Sequence, residues 1–335
     1  MPARPLVERL RNYAPAFRAD PFLAGLVGAV ILAMILPARG AAAPLAGHAV
    51  FAAVALLFFL YGARLSPAAV ISGLSHWRLQ GLVFFSTFVL FPLIGLAVTA
   101  VTRPYLPPAL NLGLFYMCLL PSTVQSAIAF TAIAGGNVPA ALCSASVSNL
   151  LGIAVTPLLA ALFLEAHGTG FNASSIRDIA FQLLLPFAAG QAIRPVIGGW
   201  LLRHGALTSF TDRGSILLIV YAAFSEGMVA GIWTQLTPLN FALVLAVDFL
   251  ILVVVLALTA FLSRRLGFSR QDEIAIVFCG SKKSMAAGIP MANILFAGQG
   301  AGMILLPVML FHQIQLFACA ALARRYARER SRFWG

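Results

Sequence analysis

Two lysines stand side by side in Val277-Phe278-Cys279-Gly280-Ser281-Lys282-Lys283-Ser284-Met285, and every other Lys or Arg position in the chain is an arginine. Apolar sequence flanks them on both sides. A lysine at the centre of a membrane helix costs on the order of 2.5–3.5 kcal/mol, so two in succession need a watery cavity, a carboxylate partner or an anionic ligand. The chemistry they offer is capture of an anion, with proton exchange by one of the pair as a second use. Glu226 and Asp248 are the acidic residues most clearly inside apolar segments and are the partners on offer. A placement of the lysines in a cytoplasmic loop would leave Ile274–Gly280 as a stub too short to span.

Other polar groups inside apolar sequence join them as candidates. Pro121, Ser122, Thr123, Gln125 and Ser126 form one set. Ser144, Ser146, Ser148 and Asn149 form another, and there close helix packing by small polar residues competes with ligand contact. His312, Gln313 and Gln315 are a third set, in which the histidine either relays protons or bonds a neighbouring helix. Glu226, between Ser225 and Gly227, faces a cavity or pairs with Lys283. Ser281, Ser284 and Cys279 flank the lysines.

The elements that position these residues are read from composition. Hydrophobic residues make up 61% of the 335, charged residues 10%, and mean hydropathy is +0.95. These values describe a polytopic membrane protein. The net charge of +12 is spread over short connectors instead of one basic and aromatic face, which argues against nucleic acid. Cys118, Cys143, Cys279 and Cys319 lie in apolar segments without metal or redox spacing and read as buried thiols. No ligand cluster, phosphate loop or Ser/His/Asp set appears in the sequence, which disfavours soluble enzyme chemistry.

A hydrocarbon core of about 30 Å asks for roughly 20 apolar residues per crossing. Ten stretches qualify, near 20–37, 46–63, 79–101, 110–134, 138–164, 176–200, 212–233, 238–262, 272–298 and 301–323. With the N-terminus inside, Arg4, Arg9, Arg11, Arg18, Arg64, Arg78, Arg194, Arg203, Arg213, Arg264, Arg265, Arg270, Arg324, Arg325, Arg328, Arg330 and Arg332 fall on the cytoplasmic side, leaving Arg39, Arg103 and Arg177 outside. That asymmetry places both termini in the cytoplasm. The connector around Ser66–Trp77 lies along the interface or forms a plain loop. The arginines before Phe22–Leu36 imitate a secretory leader, but this first segment has a counterpart in the second half and is expected to be retained.

A shift of 161 residues aligns Arg103 with Arg264, Cys118 with Cys279, and stretch 110–134 with stretch 272–298. The expected domains are two five-helix repeats, 1–165 and 166–335; an odd number per repeat inverts the second. In each repeat the fourth segment is interrupted, at Leu120-Pro121-Ser122-Thr123 and at Gly280-Ser281-Lys282-Lys283-Ser284. Paired interruptions point to a transporter's binding site, a pair of structural kinks being the alternative. Lys282 lies ten residues beyond Asp272, about 15 Å deep at the helical rise and near the bilayer middle.

The chain resembles the bile acid:sodium symporter family, in its divergent SBF-like branch. The resemblance covers nearly the whole chain and rests on Leu120–Ser126, Gly135-Gly136-Asn137, Leu151–Leu159, Gln191–Pro195, Cys279–Ser284 with Gly288-Ile289-Pro290, and His312-Gln313. It implies ten helices, a panel domain (helices 1, 2, 6 and 7) and a core domain (helices 3–5 and 8–10), with broken helices 4 and 9 crossing at the substrate site. It also implies two sodium positions beside the crossing. Ser126 keeps a hydroxyl there, and Ser144 is near, but other liganding positions fall on Ala127, Ala141, Ala145 and Cys279, with a lysine where a glutamine would stand. A fixed ammonium then replaces the bound cation, cancels helix-end dipoles and draws an anion. Lys283 is expected to be the functional lysine and Lys282 its helper.

The resulting expectation is a secondary transporter of a small organic anion in the bacterial plasma membrane, working by alternating access. Proton coupling is preferred over sodium, and no other cofactor is expected. A sodium-coupled symporter, an intramembrane enzyme acting on a lipid phosphate and a regulator with a transporter fold are the rivals.

Overall fold

The computed structural model describes residues 21–64, 76–165, 180–296 and 301–333. The expectations for Arg4, Arg9, Arg11, Arg18, Arg177, most of the connector that starts at Ser66, and the side chains of Arg330 and Arg332 lie outside the described residues.

The helices, in chain order, are α1 (Pro21–Ile35), α2 (Ala42–Arg64), α3 (Trp77–Thr102), α4 (Pro108–Leu119), α5 (Gln125–Ala134), α6 (Val138–Glu165), α7 (Leu185–Arg203), α8 (Gly205–Val229), α9 (Pro238–Arg265), α10 (Arg270–Gly280), α11 (Met285–Leu295) and α12 (Ala301–Phe333). The described residues contain no strand. Five helices, α2, α3, α6, α9 and α12, are long and apolar enough to cross a membrane. The two interrupted stretches are the pairs α4/α5 and α10/α11. Two boundaries differ most from the hydropathy reading: α8 begins at Gly205 and α12 runs on to Phe333. Hydropathy marks the apolar stretch alone, whereas helical hydrogen bonding carries the backbone past it into polar sequence.

Within α3, a π-turn spans Ser86–Leu90, and the Phe91 amide donates to the Ser86 carbonyl five residues back. Pro92 follows and has no N–H to give. The Thr87 carbonyl is therefore left without its helical donor, a vacancy that the site below fills.

The helices pack in two groups. In the first, α2 lies along α7, with Gly62 against the Phe187 carbonyl and Gly190 against the Phe59 carbonyl, and α8 packs on α1 and α2. A Cβ at either glycine would strike that backbone oxygen, so glycine sets the close approach. Arg64 pairs with Asp212 at 2.8 Å and ties α2 to α8. The second group holds α3–α6 and α9–α12, and α8 bridges the groups through α11 and α12.

One end of the second group is pinned by charge. Glu273, nearly buried at the start of α10, accepts from Arg264 (2.8 Å), Arg270 (2.8 Å) and the Tyr326 hydroxyl (3.1 Å). Its desolvation is offset by three hydrogen bonds from two guanidinium groups, the strongest class available. Asn137 joins the α5–α6 turn to α10 by donating to Asp272 Oδ1 (2.8 Å) and, through its amide, to the Gln271 carbonyl (2.9 Å). Gly135, at φ +74°, supplies the left-handed residue that ends α5.

Candidate functional site

A helix that stops inside a bilayer leaves carbonyls that water cannot satisfy. At the end of α4 each has a named partner. Lys283 Nζ donates to the Cys118 carbonyl (2.8 Å) and the Leu120 carbonyl (2.7 Å). Thr156 Oγ1 donates to Leu119 (2.9 Å), the Ser284 amide to Pro121 (2.8 Å), and Asn149 Nδ2 to Ser122 (2.6 Å). The Ser122 amide donates to Ser148 Oγ at 3.1 Å. The second break is closed in the same way. Ser122 Oγ donates to the Cys279 carbonyl (2.6 Å) and Ser281 Oγ to Val277 (2.6 Å), while Ser284 Oγ caps α11 by accepting from Ala287. The two breaks thus satisfy each other.

Lys283 is 1% exposed, and its ammonium makes three charge-assisted bonds, the third to the orphaned Thr87 carbonyl at 2.8 Å. The Phe91 ring lies 4.1 Å from it. All its protons are spent on carbonyls, two of them at the negative end of α4. Gln315 clamps the backbone of the same residue, accepting from its N–H and donating to its C=O, both at 2.9 Å, and also contacts His312 Nδ1 at 2.9 Å.

Lys282 differs in kind. It is 0% exposed and, among the described residues, its ammonium has no hydrogen-bond partner, resting instead 4.0 Å from the Phe130 ring and 5.4 Å from Phe278. A desolvated cation–π contact is worth about 2 kcal/mol, which holds the charge without using its donors. No carboxylate reaches either lysine among the described residues. Asp248 is buried with both oxygens unpartnered, and Glu226 lies elsewhere. The pairing alternative and the loop alternative both fail on these contacts and on the burial.

At the expected sodium positions the side-chain groups are engaged or sealed. Ser126 Oγ is engaged with Thr123 Oγ1 at 2.7 Å, Ser144 Oγ is buried without a partner, and the Cys279 thiol faces the Ala141 carbonyl at 3.6 Å. Two ammoniums stand in the region and the buried Asp248 carboxylate contacts none of these positions, whereas a hard cation wants oxygen ligands with net negative charge. No group of three His, Cys, Asp or Glu among the described residues could hold a metal.

The structure therefore brings together Pro121, Ser122, Thr123, Ser126, Asn149, Cys279, Ser281, Lys282, Lys283, Ser284 and, through Gln315, His312. Gln125 is not among them: it opens α5 on an exposed face. Glu226 is not either. It lines a separate cavity of about 640 Å³ between α2, α8 and α11, shared with Ser225, Asn293 and apolar side chains such as Val50 and Phe51. Sequence reasoning missed Thr87, Cys118 and Thr156 as partners of the breaks. Pro92, inside an apolar run, was the available signal for Thr87, because a proline there frees a carbonyl upstream.

Known proteins match the chain over nearly its whole length. The SBF-like CPA transporter family profile matches residues 20–328. Protein PA2026 of Pseudomonas aeruginosa is 51% identical over 94% of this chain and 95% of its own. A protein of Escherichia coli K12 named "Putative symporter YfeH" is 51% identical over 92% of this chain and 93% of its own. Sodium/bile acid cotransporter 7 of Rattus norvegicus is 30% identical over 95% of this chain and 93% of its own.

Proposed function

The chain belongs to the SBF-like CPA transporter family, and on that premise we propose that this multi-pass membrane protein is a secondary active transporter of an amphipathic organic anion. The names of the relatives, a symporter and a sodium/bile acid cotransporter, support the class of solute. In this reading the chain crosses the membrane ten times as two inverted repeats with both termini in the cytoplasm. The group α1, α2, α7 and α8 acts as a panel, and the group α3–α6 with α9–α12 rocks against it.

The observation that carries the reading is the mutual closure of the two breaks by Lys283, with its ammonium on three backbone carbonyls. Such a cage suits a monovalent cation, and Lys283 supplies that cation covalently, as a resident charge that never leaves. The core can then move as one body without binding sodium to assemble it. Coupling to a proton follows as the preferred arrangement.

The test is flux. In proteoliposomes, radiolabelled cholate should accumulate above equilibrium when an inward proton gradient is imposed and not when a sodium gradient replaces it. Accumulation driven by sodium alone would sink the resident-cation reading, and none under either gradient would sink the transport of a bile-acid-like anion.

A further inference from the structure

The cavity between α2, α8 and α11 holds three side chains with unspent polar capacity. Ser225 Oγ is buried without a partner, Asn293 makes no side-chain hydrogen bond, and the Glu226 carboxylate has no ion pair among the described residues. The rest of the wall is alanine, glycine, valine, isoleucine and Phe51. It lies where the two packing groups meet, in the N-terminal half of α2 and the C-terminal turns of α8, away from the Arg64–Asp212 pair at the other ends of those helices. A largely apolar cavity with a few convergent polar groups is the form of a small-molecule site.

Its charge is the informative feature. Glu226 is the one titratable residue among the described residues that line it. From α2 come only Ala43, Ala46, Gly47, Val50, Phe51 and Val54, and from α11 only Asn293 and Ile294. Arg39, His48 and Tyr221, the ionisable residues next to these in sequence, do not line it, nor do Lys282 and Lys283. Glu226 is exposed to the cavity; a carboxylate ligand bound over it would bring a second carboxylate against an apolar wall, and two like charges brought into contact out of water disfavour double ionisation. One proton shared between them removes the conflict and makes a strong hydrogen bond.

We propose that Glu226 is the proton-coupling residue: an amphipathic carboxylate binds in this cavity together with one proton, held between its head group and Glu226, with Asn293 completing the head-group contacts. The inference rests on the organic-anion reading above. The proton comes from the solution that the cavity faces and leaves with the anion on the other side, so Glu226 returns to its starting charge and the pair crosses electroneutrally.

The experiment is equilibrium binding to the purified full-length protein at pH 6, 7 and 8 without sodium. The probes are cholate below its micellar concentration and decyltrimethylammonium. If one proton enters with each anion, cholate affinity falls about tenfold per pH unit across the range where both carboxylates are otherwise ionised. Glu226→Gln keeps the shape without the titrating group, and its cholate affinity should be the same at all three pH values. Cholate binding by wild type without pH dependence, restoration of wild-type binding at pH 8 by sodium alone, or unchanged pH dependence in Glu226→Gln overturns the proposal while leaving the anion reading in place. Binding of decyltrimethylammonium only, or of neither probe, overturns both.

Discussion

The paired breaks, here called the crossing for the arrangement the family resemblance implies, and the Glu226 cavity are both polar islands in an apolar protein, and they differ in how much of their polarity is already used. At the crossing, donors and acceptors from α3, α4, α6, α10 and α12 close on one another, and Lys283 spends all three protons on carbonyls. In the cavity, Ser225, Glu226 and Asn293 keep their capacity. On the reading proposed above, a buried charge in a membrane protein does not by itself mark where a ligand binds. Unspent hydrogen-bonding capacity beside open volume is the better marker, because a saturated group has nothing to offer without first breaking what it holds. Lys282 belongs to neither class: unsatisfied like the cavity residues, it is sealed like the crossing.

The largest expected effect comes from emptying the crossing. Lys283→Met leaves three buried carbonyls without donors at about 1–3 kcal/mol each, so thermal or denaturant unfolding should show a loss of at least ~3 kcal/mol. Lys283→Gln, which vacates the cage with less bulk, should gain a sodium-specific stabilisation over choline that wild type lacks. A Lys283→Met protein as stable as wild type would break the contrast between the two regions.

Lys282 sharpens it, because the two lysines are adjacent and equally buried. Lys282→Met removes a sealed charge that bonds nothing and gives up only the contact with Phe130 and Phe278. Replacing an unpaired buried charge by an apolar group of like volume is neutral or stabilising, so the same unfolding assay should show no loss, or a gain of about 1 kcal/mol. A loss matching that of Lys283→Met would mean that Lys282 has a structural partner.

The smallest effect on stability belongs to the cavity. Ser225→Ala deletes a hydroxyl without a partner, so stability should stay within about 0.5 kcal/mol of wild type. Cholate affinity in the same preparation should be unchanged, because the hydroxyl is sealed from the cavity. A stability loss above 1 kcal/mol would show that this hydroxyl is structural, and would bring cavity and crossing into one class.

Much of this was open to direct reading. Composition and segment length are local properties, and they set an all-helical membrane protein with interruptions at Leu120–Thr123 and Gly280–Ser284. Hydrocarbon thickness fixes how many apolar residues a crossing needs, and proline or glycine stops a helix wherever it stands. Asn149 and the serines around the breaks were legible as candidates for the same reason: polar groups inside apolar stretches must find partners. The partners themselves were not legible. Lys283 and the Thr87 carbonyl are 196 residues apart, and a backbone carbonyl has no letter of its own in the sequence. Nor could spacing tell Lys283 from Lys282, since helical phase is undefined through a break. Glu226 shows the same limit: its residue type was plain, but only the packing of α2, α8 and α11 gave it a cavity instead of a lysine. The chain's chemistry chose which groups had to be buried; the tertiary structure decided which of them would be satisfied, because satisfaction is a distance between atoms that the sequence places far apart.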